Sequence, residues 1–252
     1  MPNALLTGVG RRRGIAAGIA AGLARDGWDL ALSYWQPYDE RLGLDGDADD
    51  PKRLADELGR AGVRVVLAPG DLEDPEVPAQ VVARAVEALG PLDALVMSHT
   101  ESVDSGVLDT TVESFDRHYA VNIRATWLLI AAFARQLPAS GGSMIALTSD
   151  HTVGNLPYGV TKGGLDRLVL ASAHELAGRG LRANVINPGP IDTGWMTDEI
   201  RAACLAQQPT GRIGTPEDIA NLVRFLLSDE GAWTNGQLLY CNGGFPAGRI
   251  PV

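Results

Sequence analysis

Apolar positions fall along the chain in two distinct rhythms. Near-continuous apolar runs of strand length occur at 3–7, 28–34, 63–68, 92–97, 143–149, 181–187 and 236–241. Between them lie longer stretches, 14–25, 53–61, 75–89, 111–136, 158–178 and 216–228, whose apolar residues recur with helical spacing. Runs without polar alternation are strands buried on both faces, and the periodic stretches are amphipathic helices. Their strict alternation predicts a doubly wound α/β fold: about seven parallel strands joined by right-handed crossovers, with about six helices on the two faces. Thr215 is expected to cap the helix that follows it. Pro51 suits a first helical turn, and the long 111–136 helix is expected to break near Asn122. The stretch 36–51, QPYDERLGLDGDADDP, reads as an acidic loop. No repeat or linker divides the chain, so residues 1–252 are expected to form one domain.

Composition narrows the function. Hydrophobic residues make up 45% of the 252, enough for a sizeable core, and no run approaches the ~20 apolar residues of a membrane span. The net charge of −10 excludes a broad basic footprint for nucleic acid. Cys204 and Cys241 have neither metal-binding nor redox spacing and are expected to be free thiols. With no signal-peptide layout before the first strand, the expected location is the cytoplasm, and no metal is expected.

The first strand leads into TGVGRRRGIA, with Gly8, Gly10 and Gly14 before an Ala-rich helix. In a parallel α/β sheet this first turn is where phosphates bind. Glycines let the backbone approach a pyrophosphate, and the helix N-terminus supplies free N–H groups. The spacing is not GxGxxG, so the turn alone is also compatible with a ligand-free glycine turn. Its three consecutive arginines are out of keeping with an acidic chain.

A second motif, YGVTK, places Tyr158 and Lys162 on one helix face. An ammonium beside a phenol stabilises the phenolate and lowers the phenol's pKa, as proton exchange with a carbonyl oxygen requires. Ser149 precedes this pair at the carboxyl end of a strand, where such sheets bind ligands. Together, the glycine turn, the strand-end serine and the Tyr-x-x-x-Lys motif resemble the short-chain dehydrogenase/reductase family over nearly the whole chain. Further likenesses are Asp71–Leu72 in PGDLED, LDALVMSHT, Asn122 in YAVNIRA, NPGPIDT, GRIGTPEDIA and NGQLLYCNGG.

The resemblance implies a Rossmann-type fold binding NAD(P) and hydride transfer between nicotinamide and a ketone or secondary alcohol. It resembles most the 3-oxoacyl-thioester reductases. By the same resemblance Tyr158 is the general acid or base and Lys162 lowers its pKa and meets the nicotinamide ribose. Ser149 donates to the substrate oxygen, and Asn122 holds a relay water. The cofactor would be held by Gly8, Arg13, Gly14, Ile15, Asp71, Leu72, Ser98, Tyr158, Lys162, Pro188, Gly189, Ile191 and Thr193. Family members of this layout are homotetramers, here with helices 111–136 and 158–178 packed between subunits; Leu165, Leu168, Val169, Leu170 and the closing FPAGRIPV offer apolar surface.

The chain departs from the family pattern in four places. Gly8 and Gly14 enclose five residues, more than in TGxxxGxG and as in enoyl-thioester reductases, yet those carry a wider Tyr–Lys spacing than YGVTK. Ala16 replaces a glycine. MSHT replaces Asn-Asn-Ala-Gly, so His99 either meets substrate or caps a strand. The Ser149–Tyr158 loop, carrying Asp150 and His151, is shorter than usual. A lid is expected around 190–210, with Trp195 near substrate. The run before Gly14 and the lack of a carboxylate in Ser33–Tyr34–Trp35 favour NADP(H), with Arg13 reading the 2′-phosphate; NAD(H) stays open. A dinucleotide-binding sensor or scaffold without activity, and an enoyl-thioester reductase, are the alternatives.

Overall fold

The computed structural model describes residues 1–44 and 46–246. Seven parallel strands form one sheet in the order β3-β2-β1-β4-β5-β6-β7. They are β1 Asn3–Thr7, β2 Asp29–Ser33, β3 Val65–Leu67, β4 Ala94–Met97, β5 Gly142–Leu147, β6 Leu181–Asn187 and β7 Leu238–Tyr240. Helices α1 Ile15–Arg25, α3 Asp50–Gly59 and α9 Pro216–Leu227 cover one face, and α4 Val77–Leu89, α6 Ala125–Gln136 and α7 Leu156–Glu175 the other. Strand residues alternate between the two cores: Ala4, Leu6, Leu30 and Leu32 face the first, whereas Leu5, Ala31, Leu95 and Met97 face the second. Each fully buried leucine contributes about 2 kcal/mol by leaving water.

Thr215 caps α9 as expected, in a capping box with Asp218. The break near Asn122 is a π-helical stretch, Tyr119–Arg124, between α5 Val112–His118 and α6. Two elements depart from the sequence expectation. Residues 36–51 are not one loop: Gln36–Arg41 is a short helix, α2, with proline in its first turn. The expected lid contains α8, Asp198–Gln207, capped by Thr197, whose hydroxyl accepts from the Ile200 N–H at 3.3 Å. Both are polar helices with little apolar face, so periodicity did not reveal them. Leu165 and Val169 are not spare surface either, since both sit in the second core. Of FPAGRIPV, only Phe245 and Pro246 fall among the described residues.

Candidate active site

The carboxyl ends of the strands open into a cleft of about 870 Å³. Strand order reverses between β1 and β4, so the segments after these two strands diverge and leave a crevice between them. The volume lies near the top of the usual range of ~300–1,000 Å³ for small-molecule sites.

The floor of the cleft is the glycine turn. Gly8 has φ 77°, and a Cβ there would lie 2.7 Å from backbone atoms of Ser98 and His99. Only glycine allows β1's exit to lie against β4's. Gly14 is the N-cap of α1, with no side-chain cap and no acidic residue in the first turn. The positive end of α1 therefore faces the cleft unneutralised. Gly8, Gly14, Ile15, Asp71, Leu72 and Ser98 all line it, as do Pro188, Gly189, Ile191 and Thr193 on the opposite side. Asp71 also caps its own turn, accepting from the Glu73 N–H at 2.9 Å. An uncapped helix N-terminus, a backbone cradle that a side chain would fill, and an elongated cleft fit a dinucleotide.

The three arginines separate. Arg11 lines the cleft; its Nη1 donates to the Thr193 carbonyl at 2.9 Å, and Nε lies 3.2 Å from Asp39. Arg12 turns outward to Glu57 at 2.7 Å. Arg13, the expected phosphate reader, is exposed and is not among the residues lining the cleft. The longer turn carries the basic side chain nearest the second glycine out of the cleft and brings Arg11 in.

At the other end, Ser149 and Tyr158 both line the cleft, and the Ser149 hydroxyl accepts from the His151 N–H at 3.1 Å. Lys162 lies behind the tyrosine, 5.7 Å from its ring centroid, and donates to the Leu147 carbonyl at 3.0 Å. The expected fall in phenol pKa does not arise. Burial pushes Tyr158 up to about 12, against the Ser149 hydroxyl and with help from Asp150. Burial likewise brings Lys162 down to about 8, opposed by Asp166.

The Asn122 side chain is buried and fully engaged. Its Oδ1 accepts from the Glu101 N–H at 2.8 Å and the Thr100 hydroxyl at 3.2 Å. Its Nδ2 donates to the Glu101 carbonyl and to Thr161 Oγ1, each at 2.9 Å. Every side-chain hydrogen-bonding group is engaged, so the amide stitches the 100–101 loop to α7.

His99 is also turned inward. Its Nδ1 lies 2.6 Å from Thr7 Oγ1 and its Nε2 3.2 Å from the Val121 carbonyl. The neutral ring accepts from the threonine and donates to the carbonyl, tying β1 to the Val121 backbone at the lining of the cleft. His151 lines the cleft with Nε2 donating to Val153 O at 2.9 Å, and Trp195 lines it with its indole N–H on Ile191 O at 2.9 Å. The sequence reading missed Tyr38, Asp39, Arg41 and Glu101, all of which line the cleft. Proline in the first turn of α2 was the available signal for the first three; Glu101 had none.

This geometry is a doubly wound α/β domain whose cleft brings Ser149 and Tyr158 together, with Lys162 beside the tyrosine. A family model described as enoyl-(acyl carrier protein) reductase matches residues 8–246. The uncharacterized oxidoreductase YjdA of Bacillus subtilis is 34% identical over 252 residues, 97% of each chain. An L-rhamnose 1-dehydrogenase (NAD(P)(+)) of a Sphingomonas species is 32% identical over 246 residues, 93% of each chain. The solved short-chain dehydrogenase/reductase of Serratia marcescens matches with a TM-score of 0.87 at 27% identity, covering 98% of each chain. The chain belongs to the short-chain dehydrogenase/reductase family. Its activity is that of an NAD(P)-dependent dehydrogenase/reductase. Among the described residues, no helix is long and apolar enough to cross a membrane.

Proposed function

We propose that the protein is an NADP(H)-dependent oxidoreductase interconverting a ketone and a secondary alcohol on a free small molecule. The observation that carries this is the placing of Ser149 and Tyr158 together in the cleft lining, with Lys162 5.7 Å from the phenol ring centroid. At neutral pH a phenol with a pKa of about 12 keeps its proton, the form that donates to a carbonyl oxygen during reduction. The dinucleotide supplies the hydride when bound. Gly8, Gly14, Ile15, Asp71, Leu72 and Ser98 would hold its adenosine and phosphates; Pro188, Gly189, Ile191 and Thr193 would hold its nicotinamide end. Ser149 orients the substrate oxygen, and Trp195 and His151 border its approach.

Asp150, next to Ser149, and Asp104 line the cleft and make its approach acidic. That favours a neutral carbonyl compound over a 3-oxoacyl chain presented by an acidic carrier protein. The NADP(H) preference is supported by Arg11 in the cleft and by a second strand ending without a carboxylate. A homotetramer is proposed through α5–α7 and the β7 end, where Tyr119, Trp127, Val160 and Tyr240 are exposed; light scattering showing a monomer at micromolar concentration would exclude it.

The test is a screen of neutral ketones, sugars and 3-oxoacyl thioesters with NADPH and NADH, followed at the nicotinamide absorbance. Turnover of neutral ketones with NADPH at lower KM than NADH is the expected result, and Arg11→Ala should erase that difference. A wild type that prefers NADH refutes the cofactor assignment; turnover confined to acyl thioesters refutes the substrate class.

A further inference from the structure

Residues 34–44 form one wall of the cleft, through Tyr34, Trp35, Tyr38, Asp39, Arg41 and Leu44. Helix α2 in this segment has no buried residue, so core packing does not hold it in place. Two ion pairs do. Asp39 pairs with Arg11, each side chain only 16% exposed. Its carboxylate presses on the glycine turn, where a Cβ at Gly10 would stand 2.5 Å from Asp39 Oδ2. At the end of the helix, Arg41 Nη2 donates to both oxygens of Glu101 at 2.6 Å. Glu101 is a fixed anchor: it is 3% exposed, and its backbone N–H and carbonyl are both bound by Asn122.

The sheet order gives this arrangement its meaning. β2 and β4 are the two neighbours of β1. Helix α2 follows β2, Glu101 follows β4, and the glycine turn follows β1 between them. The Arg41–Glu101 pair thus arches over the turn. A dinucleotide reaching from Asp71–Leu72 to Ser149–Tyr158 must lie beneath that arch. Its phosphates need the open N-terminus of α1 and the Arg11 side chain, and the Asp39 carboxylate already stands against both the turn and Arg11.

We propose that residues 34–44 are a gate on the cofactor cradle, with Asp39, Arg41 and Glu101 as its positioning residues. The ion pairs hold the gate shut in the ligand-free protein, the Asp39 carboxylate taking an anion's place at the turn. The gate opens to admit the dinucleotide and to release it. The closed population lowers apparent affinity by the open fraction, and opening limits the rate of exchange. Tyr38 rides on α2 and lines the same cleft as Tyr158.

The inference rests on the oxidoreductase reading, and two measurements separate them. In the first, stopped-flow mixing with NADPH is followed by tryptophan fluorescence, with Trp35 on the gate as reporter and Trp35→Phe as control. The wild-type rate should level off as NADPH rises, because opening comes first. Arg41→Met and Glu101→Gln should each raise that plateau about tenfold, and the double variant no further than either single one. A wild-type rate linear in NADPH, with the same slope in both variants, overturns the gate. In the second, inorganic pyrophosphate is titrated calorimetrically into wild type and Asp39→Asn. Several-fold tighter binding to Asp39→Asn supports the gate, and equal binding overturns it. This second measurement needs no nicotinamide. A wild type that binds neither NADPH nor NADH therefore counts against the functional reading, while pyrophosphate still decides the gate.

Discussion

Mild acid should destabilise this protein through a single buried ring, that of His99. The side chain is 7% exposed and held between Thr7 and the Val121 carbonyl. Burial, with the Lys162 ammonium as a second cause, pushes its pKa from the ordinary 6.5 down to about 3. In the unfolded chain the same imidazole titrates near 6.5. Between those values the unfolded state binds a proton that the native state refuses. The stabilisation from keeping His99 neutral is therefore complete above about pH 6.5 and drains away as pH falls toward 3. The slope approaches about 1.4 kcal/mol per pH unit for one proton, so roughly 2 kcal/mol is gone by about pH 4.5. Out of a typical total of ~5–15 kcal/mol, that is a large loss. Urea unfolding at about pH 7 and about pH 4.5, on wild type and His99→Asn, measures it. Asparagine keeps a donor and an acceptor but does not titrate, so it subtracts His99 while the carboxylates titrate alike in both proteins. The wild type should lose roughly 2 kcal/mol more than the variant over this interval. Equal losses would refute the claim that His99 is neutral in the native state.

Three further outcomes follow from the geometry. Gly8→Ala puts a Cβ at φ 77° and 2.7 Å from the backbone of 98–99; it should cost roughly 3 kcal/mol in urea unfolding and weaken dinucleotide binding, and a variant as stable as wild type would contradict the close approach. Tyr158→Phe should lower kcat by about 10²–10⁴ while the dinucleotide Kd stays within about twofold, whereas Lys162→Ala should impair both; sustained turnover in Tyr158→Phe would sink the proton-transfer assignment. Asp218 closes the α9 capping box and is bound by Arg212 through two 2.7 Å contacts; Asp218→Ala should cost about 1–2 kcal/mol in thermal or urea unfolding without changing cofactor Kd.

The sheet was legible in the sequence because its strands are uninterrupted apolar runs, and that pattern has few other interpretations. Tyr158, Lys162 and Ser149 were legible for a related reason: their spacing fixes them to one helix face and one strand end. What escaped was decided by contacts distant in sequence. The choice among Arg11, Arg12 and Arg13 depends on Thr193 and Asp39, and no local pattern reports which arginine a longer turn will bring inside. For His99 the sequence left substrate contact and strand capping equally open, and only Thr7 and Val121, distant in sequence, show what its two nitrogens bind. The phenol's pKa was misjudged because Tyr–Lys spacing reports proximity and says nothing of burial, which outweighs it here.

The central position of β1 has a consequence for how the chain is made. Ala4 lies opposite Ala94, and α1 is tied to α9 by Asp26–Arg224 and Arg25–Glu217 at 2.6 Å each. During synthesis the opening strand therefore waits for the β4 residues before its second edge is covered, and α1 waits for nearly the whole chain. Such distant pairing slows folding and leaves an apolar edge exposed to other nascent chains. On the ribosome, the glycine turn between β1 and α1 emerges long before the elements that brace it.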